Sequence, residues 1–418
     1  MNAGDLPPLR IETCIPERRE PGTMVFNVRP GGGADLTGAD GWFIGVNREG
    51  NFPLNLKFDD PAQDSCALAN GNIMFSLTGA GLILEVTRSG EAVRQWHIAG
   101  KWQDKTPPAG SIEIDVPLTH HRINMFPNGN LLLMTAEVRE IADWPMRDDD
   151  PAAPRGTARV VGDIILEVSP EGDILNRWAM LDMLDPHRLS YGGCSAYWHQ
   201  RGIPDSNDWC HANAVFHDAS DDTIMVSLRT QDCIAKFSRE TGHIKWILGD
   251  PGNWRAPWSD KLLTPVGALA WQYHQHDCSV TPTGTILCFD NGNNRAMPFD
   301  TKMPDSESYS RIVEFAVDDS AMEVRQVWSY GDGAGEKLYG CYQGGAYRLP
   351  QTGNTFMNYG GVCTIDGVPT SDNRKGFCRA RLMEVTPDKE IVFDMWIDGS
   401  NEDPPLSRSS FRSEFLPV

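Results

Sequence analysis

The 418-residue sequence has no run of about eighteen apolar residues, so no transmembrane helix is predicted. Its first residues, MNAGDLPPLRIETCIPERREPG, lack the apolar segment of a secretory signal. We therefore expect a cytoplasmic location, or a periplasmic one if a leader was removed. Basic residues are scarce: 37 Lys and Arg stand against 57 Asp and Glu, which gives a net charge of −20. Because nucleic acids and anionic membranes bind basic surfaces, neither is expected as a partner.

The ten cysteines include no Cys-x-x-Cys pair and no zinc-finger spacing, so no structural zinc site is predicted. In a cytoplasmic protein these cysteines are expected to be reduced thiols. The acidic residues are spread along the chain, which is typical of a solvated surface. No motif implies a cofactor, and nothing indicates the oligomeric state.

Glycine, proline and tryptophan are plentiful, with 40, 29 and 13 residues, a composition that favours a turn-rich β protein. One pattern recurs: a glycine turn, two apolar runs, a second glycine turn and a run that contains tryptophan. The five copies occupy residues 68–100, 125–180, 214–249, 279–331 and 347–399, with equivalent tryptophans at Trp96, Trp178, Trp246, Trp328 and Trp396. Residues 41–58 form a sixth, partial copy that has only the last two strands.

Each copy is predicted to be a four-stranded antiparallel unit, which cannot bury its own faces and must pack against other copies. Six units arranged radially predict an all-β fold, a six-bladed β-propeller, over residues 41–418, after an N-terminal extension of residues 1–40. The tail after Gly399 could supply the strand that the sixth unit lacks. Insertions at 138–159 and 297–309 are predicted to be loops on one face. A pair of sandwiches or a β-solenoid is the alternative.

Histidines recur at one position of this repeat. His121, His211 and His276 precede the first glycine turn of the second, third and fourth copies, whereas the fifth copy has none there. Because the first strand of a propeller blade lines the central channel, the three imidazoles are expected to converge. A single strand histidine is usually structural, but three at matched positions favour a functional site.

Four more polar residues belong to this candidate site. The strand period of two predicts that Asn213 shares a face with His211, and that His274 shares one with His276. By the same rule His120 should point away from its neighbour. Arg229 lies in the apolar run TIMVSLRTQDCIAKF, the predicted next strand, where an arginine is costly unless it pairs or binds an anion. Three histidines could instead hold zinc, but a dication would repel the arginine, so no metal is predicted.

Three segments resemble the bacterial arylsulfate sulfotransferases: HHRINMFPNGNLLLM (120–134), HANAVFHDASDDTIMVSLRTQDCIAKFSRETGHIKWILG (211–249) and QHDCSVTPTGTILCFDNGNNR (275–295). The resemblance covers roughly residues 41–399. It implies a six-bladed propeller enzyme that moves a sulfuryl group from an aryl sulfate to a phenol without a nucleotide donor. Members of that family are typically exported and carry an additional N-terminal β-domain, for which residues 1–40 leave no room.

By this resemblance His276 is the nucleophile of a ping-pong reaction and carries a transient sulfohistidine. The other catalytic residues it implies, which hold the sulfuryl oxygens and assist the leaving group, are His211, Arg229 and His121. The expected substrate-binding residues are Asn213, His120 and His274. Small-molecule aryl sulfates and phenols are the expected partners. The general base stays open between His121 and His211.

Other functions remain as alternatives. With water as the acceptor, the same site would hydrolyse sulfate or phosphate esters. A non-catalytic propeller that binds a partner is the alternative from another class, although it does not require a cluster of histidine and arginine. The segment FSRETGHIKWILG also resembles the repeat of quinone-dependent dehydrogenases, but those have eight blades, and the acid and asparagine set that seats their metal is not recognisable here.

Overall fold

Strands make up most of the regular structure in the computed structural model, which describes residues 5–32, 39–333 and 337–417, without the side chain of Gln200. Within these ranges the α-helices are α1 (Ala99–Trp102) and α2 (Met180–Met183). The short 3-10 segments are Pro16–Arg18, His199–Arg201, Arg229–Gln231, Trp258–Lys261, Asp305–Glu307 and Gly399–Asn401. In the described part of the chain no helix is long and apolar enough to cross a membrane.

After β1 (Leu9–Cys14), the strands follow one another sheet by sheet. Sheet I contains β2 (Gly22–Pro30), β3 (Gly41–Asn47) and β4 (Leu54–Phe58). Sheet II contains β5 (Ala62–Ala67), β6 (Ile73–Leu77), β7 (Leu82–Val86), β8 (Ala92–Ile98) and β9 (Ile112–Ile114). Sheet III contains β10 (Asn124–Met125), β11 (Leu131–Pro145), β12 (Arg155–Val168), β13 (Ile174–Ala179) and β14 (Ser206–Asp208).

Three further sheets follow in the same order. Sheet IV contains β15 (Ala212–Asp218), β16 (Thr223–Leu228), β17 (Cys233–Ser238) and β18 (Ile244–Gly249). Sheet V contains β19 (Thr264–Pro265), β20 (His276–Val280), β21 (Ile286–Asp290), β22 (Arg311–Asp318) and β23 (Glu323–Tyr330). Sheet VI contains β24 (Gly345–Arg348), β25 (Thr355–Ile365), β26 (Val368–Pro369), β27 (Phe377–Val385) and β28 (Ile391–Ile397). The last strands are β29 (Arg408–Ser409) and β30 (Ser413–Pro417).

The two ends of the chain complete sheets that the middle of the chain leaves short. β30 pairs antiparallel with β2 and adds the missing strand to sheet I, while β1 pairs with β28 in sheet VI. The partial copy therefore does have a strand before it, because β2 pairs with β3. Both β1 and β2 lie in the predicted extension of residues 1–40, of which 1–4 and 33–38 lie outside the described residues. The described part of that segment is built into the sheets.

Each sheet buries apolar side chains on both faces, against two other sheets. Six buried clusters join neighbouring sheets, in the order I–II, II–III, III–IV, IV–V, V–VI and VI–I. Alternation along β2 shows how this arises: Val25 packs toward sheet II, whereas Met24 and Phe26 pack toward sheet VI. A strand that is buried on both faces reads as a continuous apolar run, as β2 and β3 do.

The repeated tryptophans lie on the last long strand of five sheets, and three of them donate a hydrogen bond to the next sheet. The indole N–H of Trp96 donates to the carbonyl of Pro170, in the β12–β13 turn of sheet III. In the same way Trp246 reaches Asp319, in the β22–β23 turn of sheet V, and Trp328 reaches the carbonyl of Pro387 in sheet VI. At these three positions the tryptophan therefore holds neighbouring repeats together.

Two expectations need correction. The insertion at 138–159 is not simply a loop, because β11 and β12 pair from Leu131–Val168 to Pro145–Arg155 and form one long hairpin. β14 pairs in parallel with β12 on this hairpin. The cysteines are not all reduced, since Cys363 and Cys378 form a disulfide between β25 and β27, and eight others are free.

Because β30 packs into sheet I, shortening one of its buried side chains is predicted to lower the stability of the protein strongly. Leu416 is 4% exposed in the cluster of sheets I and II, so Leu416→Ala should lower the free energy of unfolding in urea by about 2–5 kcal/mol. The same change at Leu406, which is 45% exposed, is the matched control and should cost no more than about 0.5 kcal/mol. Equal effects would contradict a stabilising role for β30.

Candidate active site

The three repeat histidines lie at the start of the first strands of neighbouring sheets. His276 is the first residue of β20, His211 directly precedes β15, and His121 lies just before β10. All three are buried, with 4–6% of their surface exposed. The rings of His121 and His211 are 5.0 Å apart. The ring of Phe411 lies 5.6 Å from His121 and 6.5 Å from His276, so one aromatic side chain contacts both.

Hydrogen bonds define the tautomer of His276. Nδ1 is 2.7 Å from Oδ1 of Asn291, whose Nδ2 donates to the carbonyls of Gly340 and Gln343. Since the amide group of Asn291 is oriented by those two carbonyls, its oxygen must accept from Nδ1–H. Nε2 therefore carries the lone pair, with which it accepts the backbone N–H of Gln343 at 3.3 Å.

The environment keeps two of these imidazoles neutral. Burial lowers the pKa of His276 well below its usual value, the charge of Arg229 lowers it further, and the hydrogen bond to Asn291 only partly opposes them. Burial likewise lowers the pKa of His121, and the nearby His211 adds to the effect. Neutral imidazole is the nucleophilic form, so His276 presents a usable lone pair at pH 7.

Arg229 lies directly after β16, as the first residue of a 3-10 turn, and not inside a strand as predicted. Its backbone N–H donates to the carbonyl of His211 at 3.2 Å, which holds the arginine at the same end of sheet IV as that histidine. The half-buried guanidinium forms no ion pair and no hydrogen bond with any described residue. A partly buried, unpaired guanidinium favours the binding of an oxyanion.

His211 is oriented by a carboxylate that the sequence did not single out. Its Nδ1 is 2.5 Å from Oδ2 of Asp208, the last residue of β14. Oδ1 of the same carboxylate accepts the indole N–H of Trp198 at 2.8 Å, and Asp208 is 1% exposed. The carboxylate fixes the proton of His211 on Nδ1 and leaves Nε2 as an acceptor, which is the geometry of a general base.

His120 contacts His121, contrary to the expectation that it points away. The two Nδ1 atoms are 2.9 Å apart, and Nε2 of His120 is 3.1 Å from the Asp163 carboxylate. Strand alternation fails here because His121 has a left-handed backbone, with φ of 53°, and lies outside the strand. Since Nε2 of His120 donates to the carbonyl of Thr135 at 3.3 Å, its Nδ1 accepts the Nδ1–H of His121.

His274 and Asn213 make other contacts. Nδ1 of His274 is 3.1 Å from Asp232, and its backbone N–H donates to the same carboxylate, so it does not share the surroundings of His276. It too has a left-handed φ, of 52°, ahead of the strand. The side-chain amide of Asn213 donates to the carbonyl of Gln275 at 2.8 Å, which ties sheet IV to the segment before His276. The Oδ1 atom of Asn213 is buried without a hydrogen-bond partner among the described residues.

A buried charge network adjoins the histidines. Arg412 binds Asp64 of β5 at 2.7 Å and Asp277, the residue after His276, at 2.6 Å. The other oxygen of Asp64 accepts the backbone N–H of Ile123, near β10. Arg412 thus connects the C-terminal segment to sheets II and V, and its charge contributes to the low pKa of His276.

Sequence signals for the missed residues were weak or absent. Asp208 stands three residues before His211, which is a usable signal, whereas nothing in the run FDNGNNR singled out Asn291. Nothing in the tail segment SRSSFRSEF pointed to Phe411. In the described ranges, no three His, Cys, Asp or Glu side chains are grouped so as to hold a metal ion.

The sequence of this chain is similar to those of known proteins. The family described as arylsulfotransferase (ASST) matches residues 59–404. An arylsulfate sulfotransferase AssT from Escherichia coli is 29% identical over 262 residues, which are 53% of this chain and 41% of that protein. An arylsulfate sulfotransferase AssT from Lelliottia amnigena is 28% identical over 220 residues, which are 43% of this chain and 36% of that protein. The matches thus span well under half the length of these curated relatives.

Solved structures are similar only at a low level. A protein of unknown function from Bacteroides caccae aligns with 95% of this chain and 100% of its own, with a TM-score of 0.47 and 12% identity. A streptogramin B lyase aligns with 92% and 86%, with a TM-score of 0.39 and 12% identity. At these scores the similarity carries no argument, so the fold rests on the strand pairing and packing of the chain itself.

The low pKa of His276 leads to a pH-dependent prediction. In histidine-labelled protein, ¹⁵N NMR at pH 6 should find His276 neutral with the proton on Nδ1, although a free imidazole with a pKa of about 6.5 is mostly charged there. The stability that the neutral ring contributes is present above pH 6.5 and is lost as the pH falls toward the folded-state pKa. The signal is assigned by its absence in His276→Gln. An imidazolium at pH 6 would contradict the prediction.

Proposed function

Because the chain belongs to the arylsulfotransferase family, we propose that it transfers a sulfuryl group from an aryl sulfate to a phenol, with His276 carrying the group as a sulfohistidine. One observation carries the proposal. The His276 ring is buried and neutral, its proton is directed to Asn291, and the charge of an unpaired Arg229 acts on it. That combination supplies both a nucleophile and a counter-charge for a sulfate ester.

In the first step the lone pair of His276 Nε2 attacks sulfur. The S–O bond to the aryl oxygen breaks, and its electron pair leaves with the phenolate. The ring then carries the sulfuryl group on Nε2. Its proton stays on Nδ1, which donates a hydrogen bond to Oδ1 of Asn291. No electrons are gained or lost overall, so the step requires no redox partner.

Charge on the sulfuryl oxygens needs preorganised donors. Arg229 is the main candidate because its guanidinium has five N–H groups and no carboxylate partner among the described residues. The buried amide of Asn213 lies at the same end of its strand and is the supporting candidate, whereas the single N–H of neutral His121 is already directed to His120. Removal of one such donor typically costs about 3–4 kcal/mol of transition-state stabilisation.

In the second step the phenol oxygen attacks the sulfur of sulfohistidine. The N–S bond breaks, the electron pair returns to Nε2 of His276, and the phenol proton must go to a base. We assign that base to His211, because Asp208 at 2.5 Å stabilises the imidazolium that forms. His121 has no carboxylate of its own and reaches Asp163 only through His120.

We further propose that the six sheets are the blades of one six-bladed β-propeller. Support comes from the cyclic order of the six apolar clusters and from the pairing of β30 with β2, which joins the end of the chain to its beginning. The histidines then belong to the inner strands of three successive blades, at one mouth of the channel.

A covalent intermediate is directly testable by mass spectrometry. Incubation with 4-nitrophenyl sulfate and no acceptor should add one SO₃ to the protein, located on His276 by peptide analysis, since without a phenol the second step is slow. His276→Ala should show no adduct and no transfer while its circular dichroism spectrum stays unchanged. An adduct at another residue, or full transfer by His276→Ala, would refute the assignment.

The same assay distinguishes a transferase from a hydrolase by the molecule that accepts the sulfuryl group from the adduct. Formation of a new aryl sulfate when a phenol is added supports a transferase. Rapid loss of the adduct to free sulfate, at a rate that added phenol does not change, would instead indicate a sulfate-ester hydrolase on the same histidine.

Asp208→Asn tests the general base separately from the nucleophile. Asparagine keeps an acceptor for Trp198 but cannot stabilise an imidazolium, so transfer from sulfohistidine to phenol should slow by roughly 10²–10⁴-fold. Adduct formation from 4-nitrophenyl sulfate should change far less, because its leaving group departs without a proton. Single-turnover kinetics of the two phases measure both effects. Asp205→Asn, at an exposed residue three positions away, is the matched control, and equal behaviour of the two variants would exclude this role for Asp208.

A further inference from the structure

Two more arginines near the histidines have no carboxylate partner, although the chain has a net charge of −20. The guanidinium of Arg29, on β2, makes no hydrogen bond or ion pair with any described residue, and its Nε is buried without a partner. Arg201 donates from Nη1 to the carbonyl of Tyr197 and lies 3.7 Å above the ring of that tyrosine. Arg29 is half-buried with its Nε fully buried, so the cost of desolvating its charge is not offset by an ion pair, whereas Arg201 is exposed and stacks on a tyrosine ring.

Arg201 adjoins the candidate active site through Tyr197. The Tyr197 ring is 4.2 Å from the ring of His211 and 6.4 Å from that of His121. With Arg201 stacked over the same tyrosine, the arginine and the two histidines share one aromatic neighbour. Consistently, the charge of Arg201 contributes to the low pKa of His121.

Arg29 approaches the site from sheet I. Asn27 and Arg29 are two residues apart on β2 and therefore point to the same face. Oδ1 of Asn27 accepts the backbone N–H of Phe411 at 2.7 Å, and the Phe411 ring contacts His121 and His276. Burial lowers the pKa of Arg29 and the like charge of Arg201 adds to this effect, while Tyr342 and Asp60 partly oppose it. The two guanidiniums therefore repel each other, and although Asp60 partly offsets the charge of Arg29, neither arginine forms an ion pair with a described residue.

Aromatic side chains accompany this pair. Tyr197 and Phe411 lie against the histidines, and Tyr342 directly precedes Gln343, whose N–H approaches Nε2 of His276. The hydroxyl of Tyr342 accepts the backbone N–H of Gly32, close in sequence to Arg29. Aromatic surfaces next to guanidiniums suit a flat ring that carries an anionic substituent.

We propose that Arg29 and Arg201 bind a carboxylate on the aromatic ring of the substrate, so that the enzyme prefers phenols and aryl sulfates that carry a carboxylate. The inference rests on the proposed function, since it takes the ring to be the aryl group that His276 and Arg229 act on. Arg229 would hold the sulfuryl group, and the second pair would orient the far side of the ring. Arg29 and Arg201 are thus assigned to substrate specificity.

Binding measurements test this without reference to catalysis. Isothermal titration at pH 7.5 compares 4-hydroxybenzoate, which carries a carboxylate, with its uncharged methyl ester. The wild-type protein should bind the acid roughly tenfold more tightly or better, because its carboxylate gains charge-assisted hydrogen bonds from two guanidiniums that have no ion-pair partner. Arg29→Met and Arg201→Met should each reduce this preference, and the double variant should abolish it, while the affinity for the ester changes by no more than about twofold.

A matched control removes the same charge elsewhere. Arg88→Met, at an exposed turn of sheet II, should keep the full preference for the acid. Equal affinities of acid and ester for the wild type would overturn the proposal. So would an unchanged ratio in the Arg29→Met, Arg201→Met double variant, or a loss that is the same for acid and ester, since that pattern indicates a general role in folding or in steering anions.

The sulfate esters of the same two phenols extend the test to turnover. The ratio of their kcat/KM values should fall roughly tenfold in the double variant, and comparing ratios cancels the different reactivities of the two leaving groups. If the wild type transfers the sulfuryl group from neither of the two aryl sulfates, the proposed function is contradicted, but the binding comparison remains valid. If the wild type turns over both aryl sulfates and the ratio of their kcat/KM values is unchanged in the double variant, the proposed function is retained and the carboxylate site is rejected.

Discussion

Burial of both faces of every sheet is the constraint on which the rest of the structure depends. A strand such as β2 has apolar residues in succession, so one neighbouring sheet cannot cover it. Each sheet therefore packs against two others, and the six apolar clusters connect them in a cycle. The chain ends meet the same demand, since β30 and β1 complete sheets I and VI. The starts of the first strands are thereby brought together, and the histidines stand at three of them.

Electrostatics near those histidines differ from the rest of the molecule. The chain is strongly acidic, yet Arg229, Arg29 and Arg201 have no carboxylate partner among the described residues. Arg412, in contrast, is held between Asp64 and Asp277 and serves as a connection between sheets. Unpaired positive charge favours the binding of an anion, and the charge of Arg229 adds to burial in lowering the pKa of His276.

Backbone geometry outside the strands aims the imidazoles. His121 and His211 both have positive φ, at 53° and 45°, which is uncommon for residues other than glycine and is costly unless surrounding contacts enforce it. For His211 such a contact comes from the long β11–β12 hairpin, because β14 pairs with β12 and places Asp208 against His211. The hairpin thus has a part in the site as well as in the fold.

The repeat made much of the fold predictable from sequence. The glycine turns and the periodic tryptophans mark five units, and each of those tryptophans lies on the equivalent strand, because the same packing requirement recurs in every copy. The location of His121, His211 and His276 at matched positions was predictable for the same reason. The contributions of β2 and β30 to sheet I were not, since strands that are distant in sequence carry no shared pattern until they pair.

What the sequence by itself determined is the repeated unit and the residue types at its first strand, because both follow from local periodicity. Only the tertiary structure decided which side chains face one another. Asn291 fixes the proton of His276, and Asp208 fixes that of His211. His120 turns toward His121, whereas His274 turns to Asp232, since left-handed residues ahead of the strands break the alternation that the sequence implied. Strand periodicity governs residues within a ladder, while the chemistry here depends on residues just outside it, whose directions are set by contacts between sheets.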